Sequence, residues 1–407
     1  MTSSTTSGWN PDKVVMALFC CALATRFSAF IFLPDYKFPD AEAYIEAGIK
    51  LFETGDIGNP LAMPLYPILT YLFGNGLVYL ELAASAFTVW LVYRLTIEIS
   101  QDYIAATLAG LITAGYPHFI FYSLLGLTET LYLFLVCLAF LLLYRKQFLW
   151  GSVVIVASIL MRPVLDLLAP ILLLTFSLVV HKETIPKALQ RVGVYALVYV
   201  VLMAPWWVHN NAKYHTFVRL SLGDGIVLYS GNNPMNKSGG GVAYGGPNDD
   251  MDLSIFSHIR GPIERNNAMK AAAFDFIKEN PGRFVELAGK KFVRFWRLWP
   301  YAPQYNKPLY IAVSLMSYGV VLLLSIATLL KTGIANWRNY APFLLFAGYL
   351  TAIHMVTIGS IRYRLPIEPF LIVMASLSAA MIVRKWAPNL TEGKSDVSVS
   401  SPREGAS

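Results

Sequence analysis

An all-α membrane protein of about ten transmembrane helices is predicted by three observations. Of the 407 residues, 56% are hydrophobic and only 14% charged, a balance foreign to an ordinary soluble domain. Apolar runs of about 20 residues recur along most of the chain, and at about 1.5 Å of rise per residue each is long enough for a hydrocarbon core of about 30 Å. Lysines and arginines gather in alternate short connections, as positive-inside insertion requires.

The first run, VVMALFCCALATRFSAFIFL (14–33), has the apolarity of a secretory signal. Its length, the single flanking Lys13 and the lack of a convincing cleavage site favour a retained span. Beyond it, residues 41–54 have helical spacing, with Tyr44, Ile45, Gly48, Ile49 and Phe52 on one stripe and Glu42, Glu46, Lys50 and Glu53 facing away. That pattern predicts an interfacial helix lying in the membrane plane, ended by Gly55. Further spans are predicted at 76–97, 103–122, 128–144, 148–162, 164–180 and 191–208, with a break at Arg162-Pro163.

A long connection, 209–306, opens with PWWVHNN, contains SGGGVAYGGPNDD (238–250) and closes with amphipathic helical stretches near 262–279 and 282–297. It is too short and too poor in alternating pattern for an independent domain, so a small, mostly helical exterior segment lying on the membrane body is expected. Spans at 308–330, 340–360 and 364–383 complete the set, and the polar tail from Asn389 is expected to be disordered. The chain thus divides into an N-terminal transmembrane region (1–208) with its first outer loop (34–75), the exterior region (209–306), C-terminal transmembrane helices (307–385) and a cytoplasmic tail (386–407).

The net charge of +7 matters less than its placement. Arg94, Arg145, Lys146, Lys182, Lys187, Arg191, Lys331, Arg338, Arg384 and Lys385 lie on one side if both termini are cytoplasmic, which puts 34–75, 209–306 and the turn near 361 outside a plasma (inner) membrane. In that orientation Arg26, Glu81, His118, Glu129, Arg162, Asp166, His354, Arg364 and Glu368 all fall in outer halves of spans. Ionisable groups in hydrocarbon line a wet cavity or pair with one another, so a cavity opening outward is expected.

Asp40 has two readings: an N-cap of the first-loop helix, or a general base held where lipid meets water. Glu129, opening the LTET segment, is either an anion at a positive helix terminus or a second carboxylate of the same cavity. Arg162, Arg362 and Arg364 either snorkel toward headgroups or offer forks to phosphate oxygens, with Arg219 adding positive charge. The run KKFVRFWR (290–297) reads as an interfacial helix touching headgroups, with Trp296 and Trp299 as anchors. The glycine-rich loop 238–246 lacks a nucleotide-binding pattern and is expected to be mobile, a possible lid. Cys20, Cys21 and Cys137 match no disulfide or metal spacing, and His118, His209, His215, His258 and His354 no metal spacing, so neither metal nor cofactor is expected.

In this order, Arg26, PDAEAYIEAGIKLFETG, PLYPIL, LTET, MRP, PWWVHNN, GDGIVLYSGNNP, ERNNAMKAAAFDFIKENPGRFVELAGKKFVRFW and RYRLPIEP resemble the polytopic glycosyltransferases of the C superfamily (GT-C). The nearest in kind are protein O-mannosyltransferase-like and aminoarabinose-transferase-like enzymes. The resemblance implies a polyprenyl-phosphate-linked sugar as donor, a hydroxyl-bearing acceptor on protein, lipid or glycan, surrounding membrane lipids and no nucleic acid. It implies inverting transfer with Asp40 as catalytic base, Glu42, Tyr44 and Glu129 orienting the base or binding sugar hydroxyls, and Arg162, Arg219, Arg362 or Arg364 binding the donor phosphate. Two departures stand out: Met63 where relatives often carry Lys or His, and His209 where they often carry Arg. The alternative is a transporter or flippase of a lipid-linked saccharide, which calls for interrupted helices and charges near mid-membrane. A non-catalytic assembly subunit leaves the one-sided charges unexplained.

Overall fold

Helix follows helix through residues 11–33, 38–241, 251–301 and 306–386, the residues described in a computed structural model of the chain, and no strand occurs among them. Most of the glycine-rich loop (242–250) and the tail from Asn389 lie outside the described residues.

Among those residues, five helical runs are long and apolar enough to cross a bilayer: Asp12–Phe32, Leu65–Ser100, Ile185–Tyr214, Pro308–Val356 and Ile361–Trp386. Shorter apolar helices occupy Tyr103–Ala114, Thr128–Tyr144, Phe148–Met161 and Ala169–Val180. In chain order the helices are α1 (Pro11–Phe32), α2 (Pro39–Thr54), α3 (Leu65–Phe73), α4 (Leu77–Ser100), α5 (Tyr103–Ala114), α6 (Pro117–Tyr122), α7 (Thr128–Tyr144), α8 (Phe148–Met161) and α9 (Ala169–Leu174, prolonged by a π turn). There follow α10 (Ile185–Tyr214), α11 (Asp224–Gly231), α12 (Pro262–Glu279), α13 (Pro281–Trp296), α14 (Pro308–Ser314), α15 (Val320–Val356), α16 (Ile361–Arg364) and α17 (Glu368–Trp386).

Local chemistry fixes the ends. Pro39 opens α2 with its φ already set, and Gly55 closes it at φ +70°, a conformation natural to glycine. Asp102 caps α5 by accepting from the Ile104 and Ala105 amides at 3.0 and 3.1 Å. The long run ending in α15 bends at Asn336, its non-helical residue. Ser325 donates to the Leu371 carbonyl at 2.7 Å, while the Phe346 ring lies 5.7 Å from that of Phe370. Residues on either side of the bend thus meet the same level of α17, whereas a straight helix would hold them roughly 31 Å apart. The run folds back on itself about Asn336.

Phe140 of α7 marks the centre of the apolar core, with ring centroids 5.6 Å from Phe176, 5.8 Å from Phe343 and 4.4 Å from Phe370. One ring therefore ties α7, α9, α15 and α17 by dispersion and apolar burial. Outward faces of α10 and α15 carry exposed Leu197, Val200, Val201, Leu323 and Leu330, the surface that acyl chains would cover. Arg26 is buried inside α1 but satisfied: its guanidinium donates to Ser85 Oγ at 3.1 Å, to the Thr113 carbonyl at 3.1 Å and to the Ala114 carbonyl. It joins α1 to α4 and α5.

The segment between α10 and α14 is locked to the rest through α13. Lys291 is fully buried and donates to Asn232 Oδ1 at 2.9 Å and to the Val356 carbonyl at 3.1 Å. The expectation of a headgroup-touching basic face fails at this residue. The helix is turned so that Leu287, Lys291 and Phe295 face inward and Val285, Phe292 and Val293 outward, and two acceptors at the seam satisfy the buried amine. Nor is the described start of the glycine-rich loop a loose lid. Asn236 holds both the Gly239 amide and the Gly240 carbonyl at 2.8 Å, and Gly239 accepts from the Gly359 amide at 3.2 Å.

Two measurements test this seam. A Cβ on Gly231 would stand 1.7 Å from the Thr357 carbonyl oxygen, so Gly231→Ala is expected to lower stability by about 1–3 kcal/mol, read as the thermal midpoint in detergent. Burial pulls the Lys291 amine down to about 7, while the unfolded chain keeps that proton up to about pH 10. Between those values the unfolded state binds more protons, so stability rises with pH. Lys291→Met is expected to flatten that rise in thermal scans from pH 7 to pH 9.

Candidate active site

Four side chains from four parts of the chain meet at the start of α2. Asp40 is the second residue of that helix. The N-cap is Phe38, which has no side-chain cap bond, so the capping reading of Asp40 does not hold. Its carboxylate instead accepts from Arg362 Nη1 at 2.6 Å, and Oδ1 makes no hydrogen bond with a described residue. With the side chain 38% exposed, that oxygen remains open to an incoming group.

Arg362 uses its Nε on Glu129, and Arg162 places Nη1 on the same Glu129 oxygen. Arg162 Nη1 also donates to Thr128 Oγ1 at 3.2 Å. Asp40, Arg362, Glu129 and Arg162 therefore form a chain of alternating charge, two negative and two positive. Glu129 is buried at its centre, whereas both arginines keep an accessible edge. Burying a carboxylate is costly unless cations and hydrogen bonds surround it; two guanidiniums and the N-terminus of α7 meet that requirement here.

The local sequence explains the placement. Arg162 follows the last turn of α8, where Pro163 stops the helix and turns its neighbour into extended backbone at φ −147°, ψ 124°. Ser360 Oγ accepts from the Arg362 amide at 3.3 Å and starts α16. Tyr44, one turn along α2 from Asp40, packs edge-on against Tyr66 at 5.0 Å, and Tyr66 donates to buried Glu81 at 2.6 Å. Burial pushes the Tyr44 hydroxyl up against the opposing pull of Arg162, so it remains a neutral donor.

Other predicted residues stand apart. Glu42 lies about 200° around the helix from Asp40; it is exposed and forms no ion pair among the described residues. Arg364, nearly inaccessible, is spent on structure: it donates to the Phe295 and Arg297 carbonyls at 3.1 and 2.7 Å, pairs with Glu368 at 2.9 Å and lies 3.4 Å over the Tyr318 ring. Arg219 pairs with Asp166 and Tyr199 in a second, half-exposed group. His118 sits 3.1 Å from Glu368. Met63, at the site of the first departure, is buried. Among the described residues no three His, Cys, Asp or Glu side chains converge as metal ligands would.

Further along α2 from this cluster, and lined by none of its four side chains, lies a cleft of about 460 Å³ floored by α2 and walled by Arg260, Arg265 and Asn266. Its one sequence signal is the charge at the start of the amphipathic stretch from 262.

No protein-family model matches the chain, and no curated protein does. Among solved structures it is similar to the archaeal oligosaccharyltransferase AglB from Archaeoglobus fulgidus in complex with an inhibitory peptide and a dolichol-phosphate, at a TM-score of 0.55 and 15% identity, covering 93% of this chain and 51% of that one. The apo form of the Archaeoglobus fulgidus oligosaccharyltransferase gives a TM-score of 0.56 at 12% identity, over 95% of this chain and 52% of that one. The chain shares the fold of these two proteins. It spans about half the length of these neighbours, and at such low identity the likeness concerns the fold alone.

Glu129→Gln is expected to leave Arg162 and Arg362 facing each other without their shared anion and to cost about 3–5 kcal/mol. A fall in the thermal midpoint of the purified protein checks this, against no comparable fall for exposed Glu42→Gln.

Proposed function

We propose that the protein is an inverting membrane glycosyltransferase that moves a sugar from a polyprenyl-phosphate donor to an acceptor hydroxyl, with Asp40 as general base. The observation that carries this reading is the partly open Asp40 carboxylate in series with two arginine forks, set within a GT-C fold. The neighbour in complex with a dolichol-phosphate supports a lipid phosphate as the donor's anchor.

The step balances simply. An acceptor oxygen attacks the anomeric carbon from the face opposite the phosphate and its proton goes to Asp40. The C–O bond to phosphate breaks, and the electron pair leaves on a phosphate oxygen. Arg362 and Arg162 supply planar two-point donors suited to that oxygen and stabilise its growing charge. Since Arg362 holds Asp40, a phosphate competing for the guanidinium would free the base as the donor seats. Tyr44 and Glu129 orient these groups. Arg364, closed among its own partners, is left out of the donor site, and Arg219 is a further phosphate contact at most from the adjoining group.

The folded-back run counts as two crossings, making six from the five long runs, and the four shorter apolar helices bring the total to about ten. An even number sets both termini on one side, the cytoplasmic one by the positive-inside rule, with the catalytic cluster on the exoplasmic face of the plasma membrane.

Asp40→Asn is expected to fold normally and to lose about 10²- to 10⁴-fold in transfer. The assay follows a radiolabelled polyprenyl-phosphate hexose into acceptors present in host membranes; near-normal turnover removes Asp40 from the mechanism.

A further inference from the structure

The cleft beside Asp40 has a charge that nothing in the catalytic cluster explains. It is about 460 Å³ in volume, and its floor includes Ala43, Glu46, Ala47 and Lys50 of α2. Ala43, Ala47 and Lys50 lie on the flank of the helix next to Asp40, on the side away from Tyr44, since residues three, seven and ten places on fall within about 80° of it, while Glu46, six places on, lies about 120° round on the same side. Along the axis they run from about 4.5 Å to about 15 Å beyond Asp40. A molecule lying in the cleft could therefore reach the base with one end.

Arg260 and Arg265 stand on the opposite wall. Neither forms an ion pair with a described residue, and Arg265 Nε is buried without a hydrogen-bond partner. Glu46 is matched by Lys50 at 2.6 Å, so one carboxylate faces three cations and the cleft keeps two positive charges. An unpaired guanidinium nitrogen withdrawn from water is unfavourable unless a ligand answers it. The wall is moreover made by α12, whose residues Glu264, Asn267, Lys270 and Asp275 suit water rather than acyl chains.

We infer that this cleft is the acceptor subsite and that the acceptor is an anionic saccharide, its reacting hydroxyl at Asp40 and a carboxylate or phosphate one to three helical turns away against Arg260 and Arg265. The inference rests on the transferase reading above and names its second substrate.

The test is binding, which needs no turnover. The full chain, in nanodiscs of neutral phosphatidylcholine, is titrated with cellobiose and with cellobiouronic acid, a disaccharide pair differing in one carboxylate, by saturation-transfer NMR. The acid is expected to bind at least roughly tenfold more tightly, in keeping with one charge-assisted contact, and Arg260→Gln/Arg265→Gln to abolish the difference. Arg260→Gln alone, at the exposed rim, gives a partial loss with unchanged folding. Equal binding of the two sugars overturns the inference, as does a preference that survives the double variant. Displacement of the acid by phosphatidylglycerol in the nanodisc overturns it too, assigning the cations to lipid headgroups. Charge-dependent binding without any transfer from a polyprenyl-phosphate sugar supports the subsite and counts against the transferase reading alone. Transfer with no charge preference does the reverse.

Discussion

A single buried carboxylate, Glu129, holds two guanidiniums that would otherwise repel, and the site takes its shape from that fact. Arg162 arrives from the end of α8 and Arg362 from α16, and both converge on one oxygen. Without the shared anion neither cation has reason to enter a largely apolar body. With it, Arg362 has one edge left for Asp40, and α2 is drawn against the start of α7. The packing of α2 depends on small residues as well: a Cβ on Gly48 would stand 2.3 Å from the Pro67 carbonyl oxygen, so this helix lies nearer α3 than any larger residue would permit.

Electrostatic matching repeats itself through the apolar body. Glu81 has Tyr66, Glu368 has Arg364 and His118, and Asp166 has Arg219 and Tyr199. Apart from Arg364 and Glu368, four residues apart, these contacts join separate helices, which makes them fasteners as well as partial answers to desolvation. What separates the Asp40 cluster from the others is a partly exposed carboxylate in series with two arginines that share a second, buried one.

Much of this was readable from residue order, and the reasons for the rest are physical. The helix over 39–54, its Gly55 stop and the two helices of 262–279 and 281–296 follow from 3.6-residue periodicity and end signals, which are local. Pairing is not local: Arg362 and Arg364 are two residues apart in the same motif, yet one turns toward Asp40 and Glu129 and the other into the cage of Phe295, Arg297 and Glu368. Nothing in RYRLPIEP distinguishes them. Lys291 shows the same limit, since a lysine in a basic amphipathic run looks like a surface residue until two acceptors from elsewhere enclose it. The cleft was invisible because its walls come from α2 and α12, more than 200 residues apart, and neither is unusual alone.

The enclosure of Arg364 has a bearing on time. Four partners hold the backbone of α16, so in the proposed reaction Arg362 would pass from carboxylate to an arriving phosphate by turning its own side chain. Rotamer changes of partly exposed groups occur in about picoseconds to nanoseconds, whereas loop closures need far longer. In the proposed reaction, capture of a donor at this edge would proceed at the pace of bond rotation, and a slow phase would belong to diffusion of the long-chain lipid or departure of the product.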